Sequence, residues 1–329
     1  MVEDTSSTLV KRALEQTFDK SSWLINMSRD ERKRELTKAM HRKNLADVWV
    51  YFEAWLYLFG KKGGRVSENT LKNYRAGLAT LFEFLERRGE NALRPIPELG
   101  LYFREWLVHE GYSPSTINLK MTTARNLYDA LSYCDVTNDN PFSKTPSMPD
   151  PTEQHEKRQA YTHDEVQALL GKAEGDMRKL IVLTAFAGLR LFEALKLTPS
   201  DITRVGKQWT ASIVGKGLKV RTVPLAMPIV KELRLGASEL RQASARDIPF
   251  ISISQRDARR ELEILCQKAK TRYLAIHSFR HFFATHLYDS GTNLEVISRL
   301  LGHSSSVTTS IYAKMRSEAI HNEVDRVFG

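Results

Sequence analysis

A proline-rich segment divides the chain into two parts. Residues 140–158 read NPFSKTPSMPDPTEQHEKR, with four prolines, few large apolar residues and no periodicity. Because proline fixes the backbone and lacks an amide hydrogen, this composition is typical of an extended linker. We therefore expect a linker at residues 141–158 between folded domains at 41–140 and 159–329, preceded by a charged helical extension at residues 1–40. The 329 residues are enough for two hydrophobic cores.

The part before the linker has the periodicity of helices. Four stretches repeat apolar residues at intervals of three and four, and three of them end at or just before a glycine. Ser67 and Ser113 stand where helix N-caps are expected, and Pro114 suits the first turn of a helix. The pattern predicts a compact four-helix unit.

The part after the linker combines helical patterns with one β-hairpin. The segment SIVGKGLKVRTVPL alternates β-forming residues around Gly215-Lys216-Gly217, which predicts a turn with Lys216 at its tip. The expected fold class is therefore mainly α, with a small antiparallel β-sheet in an α+β second domain. The hairpin is not a nucleotide-binding loop, because the G-x-x-x-x-G-K-[ST] spacing is missing.

Positive charge is concentrated in the second part. The chain has a formal net charge of +10, with 22 basic against 20 acidic residues up to residue 150 and 27 against 19 after it. A basic domain favours a nucleic-acid partner, because neutralising phosphates releases counterions, although many basic proteins bind no polyanion. In the first part, four basic side chains lie off the apolar stripes and either contact DNA or form a solvated face: Lys72, Arg75, Lys120 and Arg125.

No targeting or membrane-spanning segment is evident in the sequence. No window approaches the roughly 18 consecutive apolar residues of a membrane span, and the first residues, MVEDTSSTLVKR, lack the apolar stretch of a secretion signal. Cys134 and Cys266 are far apart in the sequence, which favours structural thiols in a reducing compartment over a cysteine-based zinc site. We expect a cytoplasmic protein.

The segment HSFRHFFATH, at residues 277–286, places costly polar groups in an aromatic and aliphatic helix. His277 and Arg280, at positions i and i+3, project toward a common point. The pair is suited to an anion, because arginine offers a rigid fork for two phosphate oxygens and imidazole can move a proton near neutral pH. His277 and His281 have the spacing of a metalloprotease helix, but Ser278 stands where the catalytic glutamate would be, so no metal site is expected.

Two further stretches carry polar residues that could face the same point as His277 and Arg280. In AFAGLRLFEAL, Arg190 interrupts an apolar helix, and Glu193 one turn later could hold its guanidinium group. In NLEVISRLLGHSSSVTTSIYAKM, an apolar helix stops at Gly302, His303 follows at the turn, and a short helix then presents Tyr312. Each residue alone is more often structural, but together they favour a single site.

The order and spacing of these motifs resemble those of the tyrosine recombinase (phage integrase) family, most closely its bacterial Xer branch. Over most of residues 158–315, the matching motifs are Gly188-Leu189-Arg190 with Glu193, the Gly215-Lys216-Gly217 hairpin, His277-x-x-Arg280-His281, Leu301-Gly302-His303-Ser304 and Tyr312. The resemblance implies a C-shaped, two-domain DNA clamp, with a core-binding (SAM-like) helical domain at 41–140 and a catalytic domain at 159–329. Two departures could alter the packing behind Arg190: Phe192, where small residues are usual, and Ala187, where threonine is common.

The resemblance also implies an activity, namely site-specific recombination through a 3′-phosphotyrosyl intermediate and a Holliday junction. It implies Tyr312 as the nucleophile, His277 as the acceptor of its proton, Lys216 as the general acid and Glu193 as a supporting residue. The residues expected to hold the scissile phosphate are Arg190, Arg280 and His303. No cofactor or metal is expected, because the arginines supply the charge stabilisation that other enzymes obtain from Mg²⁺.

The expected partner is a double-stranded DNA recombination site in the nucleoid. Ile320, Val324 and Phe328 form an apolar stripe that packs on its own domain or, as the resemblance implies, on a neighbouring protomer, which would give a homotetramer on DNA. The need for a second recombinase or an accessory protein is left open. The alternatives are a monomer like a type IB topoisomerase and a non-catalytic DNA-binding protein of the same fold.

Overall fold

A computed structural model describes residues 19–60, 66–151, 159–215, 220–236 and 247–302. The chain divides into two compact units, Met1–Pro151 and Thr152–Gly329. Each unit contains its own extensive hydrophobic core. The mainly helical fold with a small antiparallel sheet is confirmed.

The first unit is helical throughout its described elements. A helical stretch at residues 19–26 is followed by α1 (Arg29–His41), α2 (Leu45–Phe59), α3 (Glu68–Arg88), α4 (Leu99–His109) and α5 (Pro114–Tyr133). The N-caps predicted at Ser67 and Ser113 are confirmed, since each side chain accepts a hydrogen bond from the backbone amide three residues later. Gly89, with φ of 68°, ends α3 in the left-handed conformation that glycine adopts without strain.

The helix α1 packs on the same core as the four helices that follow it. Leu36 and Met40 of α1 are buried in that core, as is Leu24 from the preceding helical stretch. Arg32 donates from Nη1 to the hydroxyl oxygen of Tyr133, 2.6 Å away, which joins α1 to the end of α5. The described part of the first 40 residues is therefore built into the first unit.

The second unit combines helices with a three-stranded antiparallel sheet. Its helices are α6 (His163–Leu170), α7 (Gly175–Phe186), α8 (Leu191–Lys196), α9 (Met227–Glu232), α10 (Gln255–Ala269), α11 (His277–Asp289) and α12 (Leu294–Leu301). The strands β1 (Ile202–Val205), β2 (Gln208–Val214) and β3 (Val220–Leu225) lie in the order β1-β2-β3. Helix α7 packs in the core, and its residues Leu180, Ile181 and Leu183 are almost wholly buried.

The β2 and β3 strands form the hairpin expected from the sequence. Val214 pairs with Val220, so the connection runs from Gly215 to residue 219, of which residues 216–219 lie outside the described part of the chain. Burial alternates along both strands, with Ala211 and Ile213 of β2 and Val223 of β3 facing the core. The side chain of Arg221 lies on the same face of β3 as that of Val223 and therefore points toward the interior.

Candidate active site

Arg280 is buried in α11 with its side chain only 1% exposed. Its Nη1 donates to the main-chain oxygen of Gly188 and its Nη2 to that of Leu301, both at 2.5 Å. Its Nη1 also lies 4.0 Å from Oε2 of Glu193. The guanidinium group therefore joins the loop before α8 to the end of α12, and its charge is partly balanced by a carboxylate.

Glu193, on α8, is the acidic centre of the cluster. It accepts a hydrogen bond from the backbone amide of Arg190 at 2.8 Å and another from Nη1 of the same residue at 2.9 Å. Arg221 donates to both carboxylate oxygens, at 2.9 and 2.8 Å. Burial raises the pKa of the Glu193 carboxyl, but the hydrogen bonds from Arg221 and Arg190 and their positive charges outweigh it and hold the pKa below its usual value.

Arg190 precedes α8 and is the most accessible arginine of this cluster. Its backbone is extended, with φ of −73° and ψ of 153°, and the Glu193 side chain bonds back to its amide as in a capping box. A quarter of its side chain, 25%, remains exposed. The Arg190 side chain is therefore held on one side by Glu193 and open to a ligand on the other.

Two glycines in the left-handed conformation allow the backbone to approach the arginines. A Cβ on Gly188, where φ is 63°, would lie 2.5 Å from the Phe283 ring. A Cβ on Gly302, where φ is 62°, would lie 2.8 Å from Cδ of Arg221. Both positions exclude larger residues because of conformation and space together.

The histidines of α11 occupy different environments. His277 begins the helix and is exposed, and its ring meets that of His281 edge-on, with centroids 4.8 Å apart. His281 is buried, and His286 stacks on Phe282 and His163 with centroids 5.3 and 5.7 Å away. His277 thus lies at the solvent side of the helix that carries Arg280, one turn away from it.

Arg221 is the member of the cluster that we did not single out from the sequence. Its side chain is 10% exposed and reaches Glu193 from β3. A signal was present, because Arg221 shares the inward side of the alternating strand pattern with Val223 and Leu225. A charged residue at an inward position requires a partner, and here that partner is the carboxylate of Glu193.

Family models match both units of the chain. The phage integrase family model matches residues 159–318, and the model of the phage integrase N-terminal SAM-like domain matches residues 52–132. The chain is 31% identical over 305 residues to the tyrosine recombinase XerD of Proteus mirabilis, a match that covers 86% of this chain and 94% of the relative. This chain belongs to the phage integrase family. The resemblance to the tyrosine recombinases, and to their Xer branch, is confirmed.

A further relative and two solved structures are similar to this chain. XerD of Rhizobium meliloti (strain 1021) is 28% identical to this chain over 298 residues, a match that covers 84% of this chain and 94% of the relative. The structure of the XerH site-specific recombinase bound to its difH substrate is similar, with a TM-score of 0.61 at 21% identity, over 85% of this chain and 84% of that one. The Tn1549 transposon integrase bound to a circular intermediate DNA gives a TM-score of 0.59 at 19% identity, over 85% and 99% of the two chains. These two likenesses show the fold.

The four basic residues predicted to face DNA differ in their surroundings. Lys72 and Arg75 are exposed on α3 of the recombinase, and the Arg75 guanidinium lies 6.0 Å from the centroid of the Trp49 ring. Lys120 is 8% exposed, its Nζ donates to the Thr80 hydroxyl at 2.6 Å, and desolvation lowers its pKa. The burial of Lys120 weighs against its predicted role as a DNA contact.

The fourth of these residues, Arg125, is bound to the chain that follows α5. It donates from Nε to the main-chain oxygen of Phe142 at 3.2 Å and from Nη2 to that of Thr145 at 3.3 Å. These contacts give Arg125 a structural role, because they hold the segment after α5 against the helix. Its contact with DNA stays a prediction.

Three residues predicted to be catalytic, Lys216, His303 and Tyr312, lie outside the described residues, as does the apolar stripe of Ile320, Val324 and Phe328. Of the two departures from the family pattern, Ala187 is buried in the core, whereas Phe192 is 36% exposed. Phe192 therefore does not fill space in that core. In the described ranges, no helix has the length and apolarity needed to cross a membrane, and no group of three acidic, histidine or cysteine side chains is placed to hold a metal ion.

Proposed function

We propose that this tyrosine recombinase cleaves DNA by attack of Tyr312 on a backbone phosphate that Arg190 and Arg280 hold. The observation that carries the proposal is the cluster in which Arg190, Arg280 and Arg221 share one carboxylate, that of Glu193. Three guanidinium groups against one carboxylate leave two positive charges. A phosphodiester, with charge spread over its non-bridging oxygens, is the kind of ligand that complements this excess.

The proposed reaction conserves the energy of the phosphodiester bond. The Tyr312 oxygen attacks phosphorus, the bond to the 5′ oxygen breaks, and a 3′-phosphotyrosyl link remains beside a free 5′-hydroxyl. Attack of a 5′-hydroxyl from another strand reverses the step and rejoins DNA, so no nucleotide is consumed. The arginines stabilise the charge that develops on the non-bridging oxygens.

Two proton transfers accompany the cleavage. A tyrosine phenol has an unperturbed pKa of about 10, so it must lose its proton during attack, and His277 is the proposed acceptor. The 5′ oxygen leaves poorly as an alkoxide, so it must gain a proton, and Lys216 is the proposed donor. His303, next along the chain from Gly302, is proposed to hydrogen-bond the phosphate.

The proposed division of labour follows the two units. Residues 41–140 would form the core-binding domain, with residues 1–40 as an extension, and residues 159–329 would form the catalytic domain after a linker at 141–158. Lys72 and Arg75 are exposed and suited to phosphate contacts.

Four protomers would assemble on two recombination sites, with the stripe of Ile320, Val324 and Phe328 docking on the next protomer. The protein would act in the nucleoid.

Trapping of a covalent adduct tests the proposed chemistry. Nicked duplexes tiled across the DNA that flanks the gene lose a short 5′-hydroxyl strand after cleavage, so the phosphotyrosyl adduct persists and is retained on a denaturing gel. We expect an adduct with the wild type and with Tyr273→Phe, which alters an exposed tyrosine, but none with Tyr312→Phe. An adduct in Tyr312→Phe would exclude this residue as the nucleophile.

A two-site assay separates recombination from topoisomerase activity. A supercoiled plasmid that carries two directly repeated copies of the trapped site should be resolved into two smaller circles. A plasmid without the site should stay supercoiled. Relaxation of the plasmid without the site, with no exchange on the other, would instead support the topoisomerase alternative. Chemical crosslinking of the DNA complex measures whether four protomers assemble.

A further inference from the structure

Arg221 joins three parts of the second unit through one side chain. Its Nη1 and Nη2 bind the two carboxylate oxygens of Glu193 on α8, at 2.9 and 2.8 Å. Its Nε donates to the main-chain oxygen of Leu300 on α12, at 2.9 Å. Its Cδ is the nearest atom to the space above Gly302. The residue itself lies on β3, the strand that follows the Lys216 hairpin.

The chemistry of these contacts requires an arginine. A carboxylate and a guanidinium group in a two-point contact fix each other in distance and in plane. A third nitrogen, Nε, points at a carbonyl near the end of α12, where helical carbonyls lack partners within the helix. A lysine has one nitrogen and no fork, so it could not make this set of contacts.

The exposure and contacts of Arg221 distinguish it from Arg190, the most accessible arginine of the cluster. The side chain of Arg221 is 10% exposed and that of Arg190 25%. All three side-chain nitrogens of Arg221 donate hydrogen bonds to Glu193 or Leu300. Glu193 accepts two hydrogen bonds from each residue, from the backbone amide and Nη1 of Arg190 and from Nη1 and Nη2 of Arg221. The orientation of the Glu193 carboxylate is therefore set jointly by the two-point contact with Arg221 and by the backbone amide of Arg190, and the Arg190 guanidinium group pairs with the carboxylate in that orientation.

We propose that Arg221 is a positioning residue of the strand-transfer site, which aligns the phosphate-binding Arg190 through Glu193 and holds the end of α12 through Leu300. This inference rests on the proposed function. Because these contacts come from one side chain on β3, Arg221 joins β3, Glu193 of α8 and the end of α12 at one point. Arg221 acts through these groups and does not itself contact the phosphate.

A substrate without charge at the scissile phosphate distinguishes positioning from folding. In a methylphosphonate a methyl group replaces one non-bridging oxygen, so the linkage is neutral and depends less on the orientation of the guanidinium groups. Single-turnover cleavage is measured on the phosphate and on the methylphosphonate in the duplex that traps the wild type. The variants are Arg221→Gln, Arg221→Lys and Arg221→Met, with Arg204→Gln as a control in an exposed arginine of the same sheet.

We expect Arg221→Gln to cleave the phosphate about 10²-fold more slowly, the loss that a misplacement of roughly 1 Å produces. Its defect should shrink to about tenfold or less on the methylphosphonate, because less charge remains to be stabilised. Arg221→Lys should be impaired as well, since it keeps the charge and loses the fork. Affinity for DNA should be unchanged in all variants, and Arg204→Gln should behave as the wild type.

Several outcomes would overturn the inference. These are an unaltered cleavage rate in Arg221→Gln, full activity in Arg221→Lys, or a defect of equal size on both substrates, which marks a folding effect. Arg221→Met replaces Arg221→Gln if the latter does not fold, since it retains the volume of the side chain. A wild type that forms no adduct on either substrate would refute the proposed function, a result distinct from all of these.

Discussion

Arg280 donates a hydrogen bond from its Nη2 to the main-chain oxygen of Leu301, 2.5 Å away. Leu301 is the last residue of α12, where helical carbonyls lack partners within the helix. Gly302 then turns the chain in the left-handed conformation, with φ of 62°. Because Nη1 of the same arginine binds the oxygen of Gly188, one side chain of α11 fixes both the loop that leads to Arg190 and the turn that leads to His303.

Glu193 should make the stability of the second unit sensitive to acid. Its pKa in the folded protein lies below its usual value, whereas the unfolded chain has a glutamate pKa of about 4.3. A depressed folded pKa contributes stability that is fully present above the unfolded pKa and is lost as the pH falls through the folded pKa. We therefore expect the difference in urea midpoint between wild type and Glu193→Gln to be constant near neutral pH and to shrink at acidic pH.

Glu193→Gln should lower the free energy of unfolding of the second unit at neutral pH. Breaking a buried ion pair from one side typically costs about 3–5 kcal/mol, because the remaining charges lose their partner. Glu295→Gln is the matched control, since Glu295 forms an exposed pair with Arg299 on α12, and such pairs contribute at most about 1 kcal/mol. Equal effects of the two substitutions would show that Glu193 does not hold the arginines together.

Gly188 should tolerate no side chain, for reasons of space as well as conformation. An alanine in the left-handed region costs roughly 1–2 kcal/mol, and at Gly188 its Cβ would also lie 2.5 Å from Phe283. Gly89 has a similar φ of 68° with nothing within 4 Å of the added Cβ. Thermal unfolding should therefore show a larger loss in Gly188→Ala than in Gly89→Ala, and the excess measures the contact with Phe283. Equal losses would mean that the loop shifts to make room.

The sequence predicted those parts of the site that depend on local spacing. His277 and Arg280 share a helix, and Glu193 lies one turn from Arg190, so their proximity follows from helical geometry. Ser67 and Ser113 cap their helices because capping needs only a side chain within three residues of the amide it binds. These contacts are local, and a single sequence contains them.

The parts that escaped prediction depend on contacts between distant segments. Arg221 and Glu193 are joined across 28 positions, and the partner of an inward arginine is not encoded near it. Lys120 lies off the apolar stripe of its own helix, but Thr80 of the neighbouring α3 covers it. A pattern along one helix cannot show which of its polar residues another helix will bury.

Lys72 and Lys120 should contribute differently to DNA binding. Each lysine that neutralises a phosphate adds about 0.9 to the steepness of the plot of log affinity against log salt. Because Lys72 is exposed and Lys120 is buried against Thr80, Lys72→Met should reduce the slope by about one phosphate contact, whereas Lys120→Met should leave it unchanged. A titration of a fluorescent duplex at several salt concentrations measures the slopes. A reduced slope in Lys120→Met would show that its ammonium group leaves Thr80 to meet the DNA.

The role proposed for Lys216 can be isolated by changing the leaving group. In a 5′-bridging phosphorothiolate, sulfur replaces the oxygen that departs, and a thiol has a pKa of about 8.5, so it leaves without a proton from the protein. Lys216→Ala should cleave the ordinary duplex roughly 10²–10⁴-fold more slowly, the usual contribution of general acid catalysis, and the phosphorothiolate at nearly the wild-type rate. Single-turnover rates of adduct formation measure both.

Two control variants, Lys207→Ala and Arg190→Ala, are measured on the same two substrates. Lys207→Ala removes an exposed lysine from the turn between β1 and β2 and should cleave both substrates as the wild type does. Arg190→Ala should remain slow on both, because charge on the non-bridging oxygens still has to be stabilised when sulfur departs. Persistence of the Lys216→Ala defect on the phosphorothiolate would assign this lysine to the phosphate itself, and the proton donor would then have to be sought among the other groups of the site.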